Sequence, residues 1–350
     1  MSSTKSKRIP AKILIPGILA AGLLAAGLLS VWKYLSDNKL PNFRHDAVIY
    51  VYPQTSVDEV YAALINEAGV RRPYSLSRSF RTKQVANYLK PGRYEIHPDY
   101  TSVYVARMLN NCWQSPARLV LSGTLRQNKD LAAKISAQLM IDSLDVIKAL
   151  ESKPFLSQFG VTPQNVFSLF IPDTYEMYWT STMQEVLAKQ KEACDKFWTE
   201  ERLAKAKAQG LSREQVSVLA SIVKGETNYE PEMPKIAGVY LNRLHKGMKL
   251  QADPTVAFCY GYELNRILRK HLSVDSPYNT YKHAGLPPGP ISVPTKACLE
   301  AVLNPEGNYL YFCANANFDG SHSFATSYAE HLRNARAFQR ALDLRSSQPK

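Results

Sequence analysis

No acidic residue accompanies Lys5, Lys7, Arg8 and Lys12 at the start of this 350-residue chain, and no charge of either sign occurs from Ile13 to Trp32. Cysteine is scarce: Cys112, Cys194, Cys259, Cys298 and Cys313 are odd in number, widely spread and without a C-x-x-C pair. They read as small core residues with room for one disulfide, and they argue against a metal site. The seven histidines (His45, His97, His245, His271, His283, His322 and His331) show no H-E-x-x-H or comparable ligand spacing, which argues against a metal-dependent hydrolase or amidase. Neither a metal nor a cofactor is expected.

What is present begins with the uncharged run. Ile13 to Trp32 is almost entirely Leu, Ala, Ile and Gly, and at 1.5 Å per residue it is about 30 Å long, the thickness of a hydrocarbon core. It predicts a single-pass transmembrane helix over residues 13–35. The run exceeds the h-region of a cleaved signal peptide, and no clear small-x-small site follows. By the positive-inside rule, residues 1–12 form a cytoplasmic tail and the remainder lies across the membrane. Of the formal charge of +13, the tail supplies four, leaving +9 for the rest. A basic exported part suits anionic headgroups or an acidic polymer, and its location argues against nucleic acid. With 45% hydrophobic and 21% charged residues, a real core and about two domains are available.

The pattern predicts an α+β chain: the single N-terminal helix, a small α+β domain over 45–115 and a larger mixed α+β domain over 116–345. In the first domain Asp46 to Tyr52 alternates like a strand, and Ser56-Val57-Asp58-Glu59 is a capping box opening a helix with Val60, Ala63 and Leu64 on one face. Arg93 to His97 reads as a second strand, and Thr101-Ser102-Val103 opens a helix ending near Leu109. These two strand–helix units lie about 45 residues apart, a weak repeat. In the larger domain the expectations are helices over Asn128–Leu139 and Ser143–Glu151, a core strand around Val166–Trp179, and one long solvated helix over Met183–Gln209.

Ser212-Arg213-Glu214-Gln215 is another capping box, followed by Val216, Leu219, Ala220 and Val223 on one helical face. Glu226 continues that face. A glutamate is rarely buried without a partner or a task, and desolvation raises a carboxyl pKa toward what a general acid near neutral pH requires. Gly225 beside it would let a ligand approach. Pro234 to Leu244 reads as a further helix with Ile236, Val239, Tyr240 and Leu244 inward. The loops beyond concentrate Tyr, Asn, Gln and Thr, as a sugar-binding groove does: aromatic faces for pyranose rings, amides and hydroxyls for their substituents.

Several blocks carry a resemblance: Ala220 to Thr227, Asn242-Arg243-Leu244 with Gly247-Met248, Leu250-Gln251, Asp253-Pro254-Thr255, Tyr278-Asn279-Thr280-Tyr281, Gly285 to Ile291, and Tyr309 to Phe312 with His322 and Phe324. In order and approximate spacing, from about residue 50 to 342, the chain resembles the YceG-like (MltG) family of endolytic murein transglycosylases. The resemblance implies a LysM-like small domain and places the catalytic glutamate on Glu226. It implies a lyase that cleaves the β-1,4 bond between N-acetylmuramic acid and N-acetylglucosamine without water. The C6 hydroxyl closes a 1,6-anhydro ring, and one carboxyl serves as acid and then base. Gln251, Asp253, Tyr278, Asn279, Thr280 and His322 are the candidates for holding the sugar. Asp253 also reads as a turn cap, Tyr278 as core and His322 as a backbone hydrogen-bonding partner.

Two departures stand out. Lys224 occupies a position where the family commonly has glutamate; about 200° from residue 226 on the helical wheel, it should not point at the same substrate atom. Ser168-Leu169 stands where the family often has Glu-Gly. The alternative, a catalytically inactive peptidoglycan-binding scaffold on the same fold, rests on Lys224. The resemblance further implies nascent glycan strands as substrate, penicillin-binding synthases as partners, strand termination as the outcome and a bacterial inner-membrane location. A tether of about 10 residues after Trp32, reaching at most some 35 Å, would keep the small domain near the bilayer.

Overall fold

The computed structural model describes residues 11–346, with side chains from 18 to 345; the expected cytoplasmic tail lies outside the described residues except for the two that open the first helix. That helix, α1 (Ala11–Asn38), contains a stretch, Ile18–Asn38, long and apolar enough to cross a membrane. The chain forms two compact units, one comprising residues up to Ala117 with Met177–Thr180, the other Arg118–Glu176 with Ser181 onward.

In the first unit β1 (Ala47–Val51) pairs antiparallel with β2 (Gly92–Ile96), Ala47 opposite Ile96. Between them lie α2 (Val57–Ala63), α3 (Pro73–Thr82) and α4 (Val85–Tyr88), and α5 (Ser102–Asn110) follows. The capping box forms as expected: Ser56 accepts from the Glu59 backbone while the Glu59 carboxylate accepts from Ser56. Helices α3 and α4 carry no signal that the sequence pattern isolated. Phe43, Val51, Leu64, Leu76, Tyr94 and Leu109 are buried together.

The stretch after Trp32, expected as a tether of about 10 residues, is largely helical. Helix α1 continues six residues past Trp32, and its last turn is fastened to α3: Arg78 grips both oxygens of Asp37 at 2.7 and 2.9 Å, and the Ser75 hydroxyl reaches Asp37 at 2.6 Å. Asn42, fully buried, donates to the Ser102 hydroxyl at 2.8 Å. Asp37 and Asn42 are thereby tied to the helices of the first unit.

In the second unit the strand expected around Val166–Trp179 is confined to its C-terminal part. Val166–Leu169 forms a 3-10 turn, Pro172 interrupts the backbone, and only β4 (Thr174–Met177) pairs, with β3 (Ala117–Val120). Ser168 is buried in that turn, its hydroxyl on the Asn165 carbonyl. Helices α6 (Asn128–Ser136), α7 (Ser143–Glu151) and α8 (Lys153–Ser157) lie between β3 and β4. The single helix expected over Met183–Gln209 is two, α9 (Met183–Phe197) and α10 (Glu200–Ala208), because Thr199 leaves the helix and caps α10 by accepting from Arg202. All five cysteines are free.

The core of this unit is built on α11 (Arg213–Glu226) and α12 (Met233–His245), with α14 (Lys296–Leu303) against both. Every residue from Val216 to Val223 is buried. A Cβ on Gly238 of α12 would come within 2.3 Å of the Glu306 carbonyl, so only glycine permits that approach. Helix α13 (Asp253–Cys259), the hairpin β5 (Tyr311–Ala314) and β6 (His322–Ala325), and α15 (Tyr328–Ser346) complete the unit.

Candidate active site

Helix α11 ends on Glu226, because Thr227 turns to extended backbone while its N–H still bonds to the Val223 carbonyl. The carboxyl therefore sits at a helix C-terminus, where the dipole disfavours negative charge. It lies at a cleft of about 660 Å³ whose walls are the end of α11, the start of α13, the 123–126 loop and the tip of the β5–β6 hairpin. Burial pushes the Glu226 carboxyl up to about 7; the Tyr240 hydrogen bond pulls against this, the charge of Asp253 adds to it, and Arg243 lowers it. The group is then an acid at neutral pH that can still act as a base.

Tyr240, on α12, is buried, and its hydroxyl donates to Glu226 Oε1 at 2.5 Å. Burial raises the phenol well above its ordinary range, so it stays a neutral donor. One turn on, Arg243 does not pair with the carboxylate; its guanidinium donates to the carbonyls of Leu310 and Leu250, both at 2.7 Å, tying β5 and the approach to α13 to α12.

Gly225 has a different use from the one its position suggested. A Cβ there would meet Pro254 at 2.5 and 2.8 Å, so the missing side chain makes room for the start of α13. That contact sets Asp253 on the same cleft as Glu226. The loop before α13 is held from beneath: the Gln251 and Ala252 N–H groups donate to the Thr280 carbonyl and hydroxyl at 3.1 and 3.0 Å, and Thr255 Oγ1 lies 2.9 Å from the same hydroxyl. Gln251 is consequently held at a positive φ of 50°. Asp253 accepts from the Tyr281 hydroxyl at 2.6 Å.

Of the candidates from sequence, only Glu226 and Asp253 line the cleft. The structure places Asn279 and Thr280 beneath the loops: both are buried, and the Asn279 amide donates to the carbonyls of Leu272 and Val274. A tight loop must satisfy its own carbonyls, and these side chains do so. Tyr278 stacks on Phe258, centroids 4.5 Å apart. Gln251 is exposed, outside the lining. His322 is held by the buried Glu232, which takes its Nδ1 and backbone N–H, both at 2.9 Å. Lys224 does reach the cleft, because the chain turns back after Glu226 and Asn228 Oδ1 accepts from its ammonium at 2.6 Å.

The sequence reading missed three residues. Tyr240 was assigned to the apolar face, although a buried phenol needs a partner. Tyr281 shows no sign in the sequence of its bond to Asp253. Arg126, in the loop before α6, lines the cleft with its guanidinium 4.7 Å from the Tyr262 ring centre. Among the described residues, no group of three His, Cys, Asp or Glu side chains converges as a metal site.

The cleft thus presents a glutamic acid raised to about 7 and oriented by a buried phenol, a group able to give and take a proton near neutral pH. The chain belongs to the YceG-like family, whose model matches residues 49–337. It is 33% identical to the endolytic murein transglycosylase of Bacillus subtilis (strain 168) over 220 residues, 59% of this chain and 61% of that protein. It is 29% identical to the endolytic murein transglycosylase of Streptococcus pneumoniae serotype 2 (strain D39) over 169 residues, 47% of this chain and 30% of that one. The crystal structure of a YceG-like protein from Listeria monocytogenes superposes with a TM-score of 0.55 at 27% identity, covering 82% of this chain and 98% of that one.

Proposed function

We propose that the protein is a membrane-anchored lytic transglycosylase that cuts peptidoglycan strands internally, without water, with Glu226 as the catalytic residue. The observation that carries this reading is the carboxyl of Glu226, half-buried, raised to about 7 and hydrogen-bonded by Tyr240 at the cleft. The names of the bacterial relatives supply the substrate class.

Glu226 donates its proton to the glycosidic oxygen as the bond from that oxygen to C1 of the muramic acid residue breaks. The positive charge developing at C1 and the ring oxygen faces the Asp253 carboxylate on the same cleft. The C6 hydroxyl of that residue then attacks C1 and gives its proton to Glu226, which regains its starting form. No water is consumed, and the new end is a 1,6-anhydro sugar. Because the substrate supplies the nucleophile, the second carboxylate that a hydrolytic glycosidase uses to activate water is not needed. Tyr240 holds the carboxyl in one orientation and stabilises its ionised stage.

The first unit serves as the LysM-like glycan-binding module, and α1 as a single-pass anchor with its N-terminus in the cytoplasm. Held at the membrane, the cleft meets strands as synthases of the penicillin-binding class extrude them, and cutting there sets strand length. The test is product chemistry: full-length protein incubated with purified peptidoglycan releases chains with 1,6-anhydro ends, and Glu226→Gln releases none above background.

A further inference from the structure

The cleft contains two cations that the mechanism does not use. Arg126 and Lys224 both line it, together with the carboxyls of Glu226, Asp253 and Asp319, yet no ion pair has formed between the two sets among the described residues. Each acid is engaged elsewhere: Glu226 by Tyr240, Asp253 by Tyr281, and Asp319 by the Ser321 N–H and hydroxyl. Among the described residues, Lys224 has a neutral amide oxygen as its only hydrogen-bond partner, and the Arg126 side chain has no hydrogen-bond acceptor, only the face of Tyr262 beneath it.

Both cations are on fixed supports. The Tyr262 hydroxyl donates to the Ile291 carbonyl at 2.6 Å, and the Ile291 N–H donates to Ser221 of α11 at 2.9 Å. The Val293 N–H donates to the Leu125 carbonyl at 2.8 Å, which fixes the residue next to Arg126, and the Gln127 amide clamps the Gly261 carbonyl beside Tyr262 at 2.9 Å. Arg126 and Lys224 are thus attached to one frame with the catalytic helix. Two held cations without anionic partners, on a groove whose own acids are occupied, are an arrangement suited to a ligand carboxylate.

We infer that Arg126 and Lys224 form an anion subsite that recognises a carboxylate carried by a substituent of the sugar next to the scissile bond. The inference rests on the proposed transglycosylase reading and narrows it to strands bearing free carboxylates. Two sources share that chemistry, the lactyl ether of a peptide-free muramic acid and the carboxylates of an attached stem peptide. In either case the subsite acts on substrate binding and leaves the proton transfers at Glu226 untouched.

The experiment compares strand binding by full-length Glu226→Gln with the same protein carrying Arg126→Gln and Lys224→Met in addition. The strands are peptide-bearing, peptide-free, or peptide-free with the carboxylates converted to neutral methylamides. The expected result is a loss of about 10- to 100-fold in affinity for carboxylate-bearing strands on removing both charges, and no change for methylamide strands. A loss on peptide-free strands assigns the lactyl carboxylate; a loss confined to peptide-bearing strands assigns the stem. Affinity for carboxylate strands in the Glu226→Gln protein also falls as salt rises, a reading that depends on no further variant. Equal affinity with and without the two cations, or the same salt response for methylamide and carboxylate strands, overturns the subsite. Failure of the wild type to produce anhydro ends overturns instead the reading on which it rests.

Discussion

The Tyr240 hydroxyl donates to Glu226 Oε1 at 2.5 Å across the junction of α11 and α12, and it is the strongest influence holding that carboxyl down against burial. Tyr240→Phe removes it without changing the packing of the ring. The Glu226 pKa then rises further, and the alkaline limb of the pH–rate profile moves to higher pH. We expect kcat to fall about 10- to 100-fold with little change in KM, because the carboxylate stage loses its donor. A profile that stays in place would show that the phenol does not tune the acid.

In the wild type the acid form of Glu226 is the starting form, so activity declines as pH rises through about 7. The same carboxyl has a stability signature. Its folded pKa lies above the ordinary 4.5, so the folded state binds the proton more tightly, and stability is lost as pH rises from 4.5 to about 7. Glu226→Gln escapes that loss. At pH 8 it should be more stable than wild type by up to about 3 kcal/mol in denaturant melts, the difference disappearing below pH 4.

Gly225→Ala sets a methyl group within 2.5 Å of the Pro254 ring, which cannot swing away. We expect a loss of about 1–3 kcal/mol of stability and, because Asp253 moves with Pro254, a lower kcat in the surviving folded protein. Unaltered kinetics would mean that the seating of α13 on α11 does not govern the site.

At the end of α1, Asp37 is gripped by the Arg78 guanidinium and the Ser75 hydroxyl. Asp37→Ala releases the last turn of α1, and trypsin should then cut after Lys39 at least 10-fold faster in the detergent-solubilised full chain. Equal cutting rates would mean that the Asp37 contacts do not hold this segment.

What the chain reveals before folding is what is encoded locally. The capping boxes at Ser56 and Ser212 are complete within four residues, and both form. Glu226 was visible because a carboxylate interrupted an apolar helical face. Tyr240 lay on an equally apolar face and looked like core, since an aromatic ring gives no sign of where its hydroxyl points. Residue type alone does not place Asn279 and Thr280, because polar loop residues serve ligands and loop backbones alike; in the structure both bond to loop backbone. Arg126 lies 100 residues before Glu226 in a loop without periodicity, so only the folded frame brings it to the cleft. The break at Thr199 was written in the sequence as a cap, but the Lys, Glu and Ala composition around it concealed the boundary.

The central claim is that one carboxyl performs both proton transfers, and the most direct measurement is the reducing-end chemistry of chains released from purified peptidoglycan by wild type and Glu226→Gln. The account predicts 1,6-anhydro ends from the wild type and a fall of about 10²- to 10⁴-fold or more with Gln. Hydrolytic ends from the wild type, or undiminished release by the Gln variant, would contradict it.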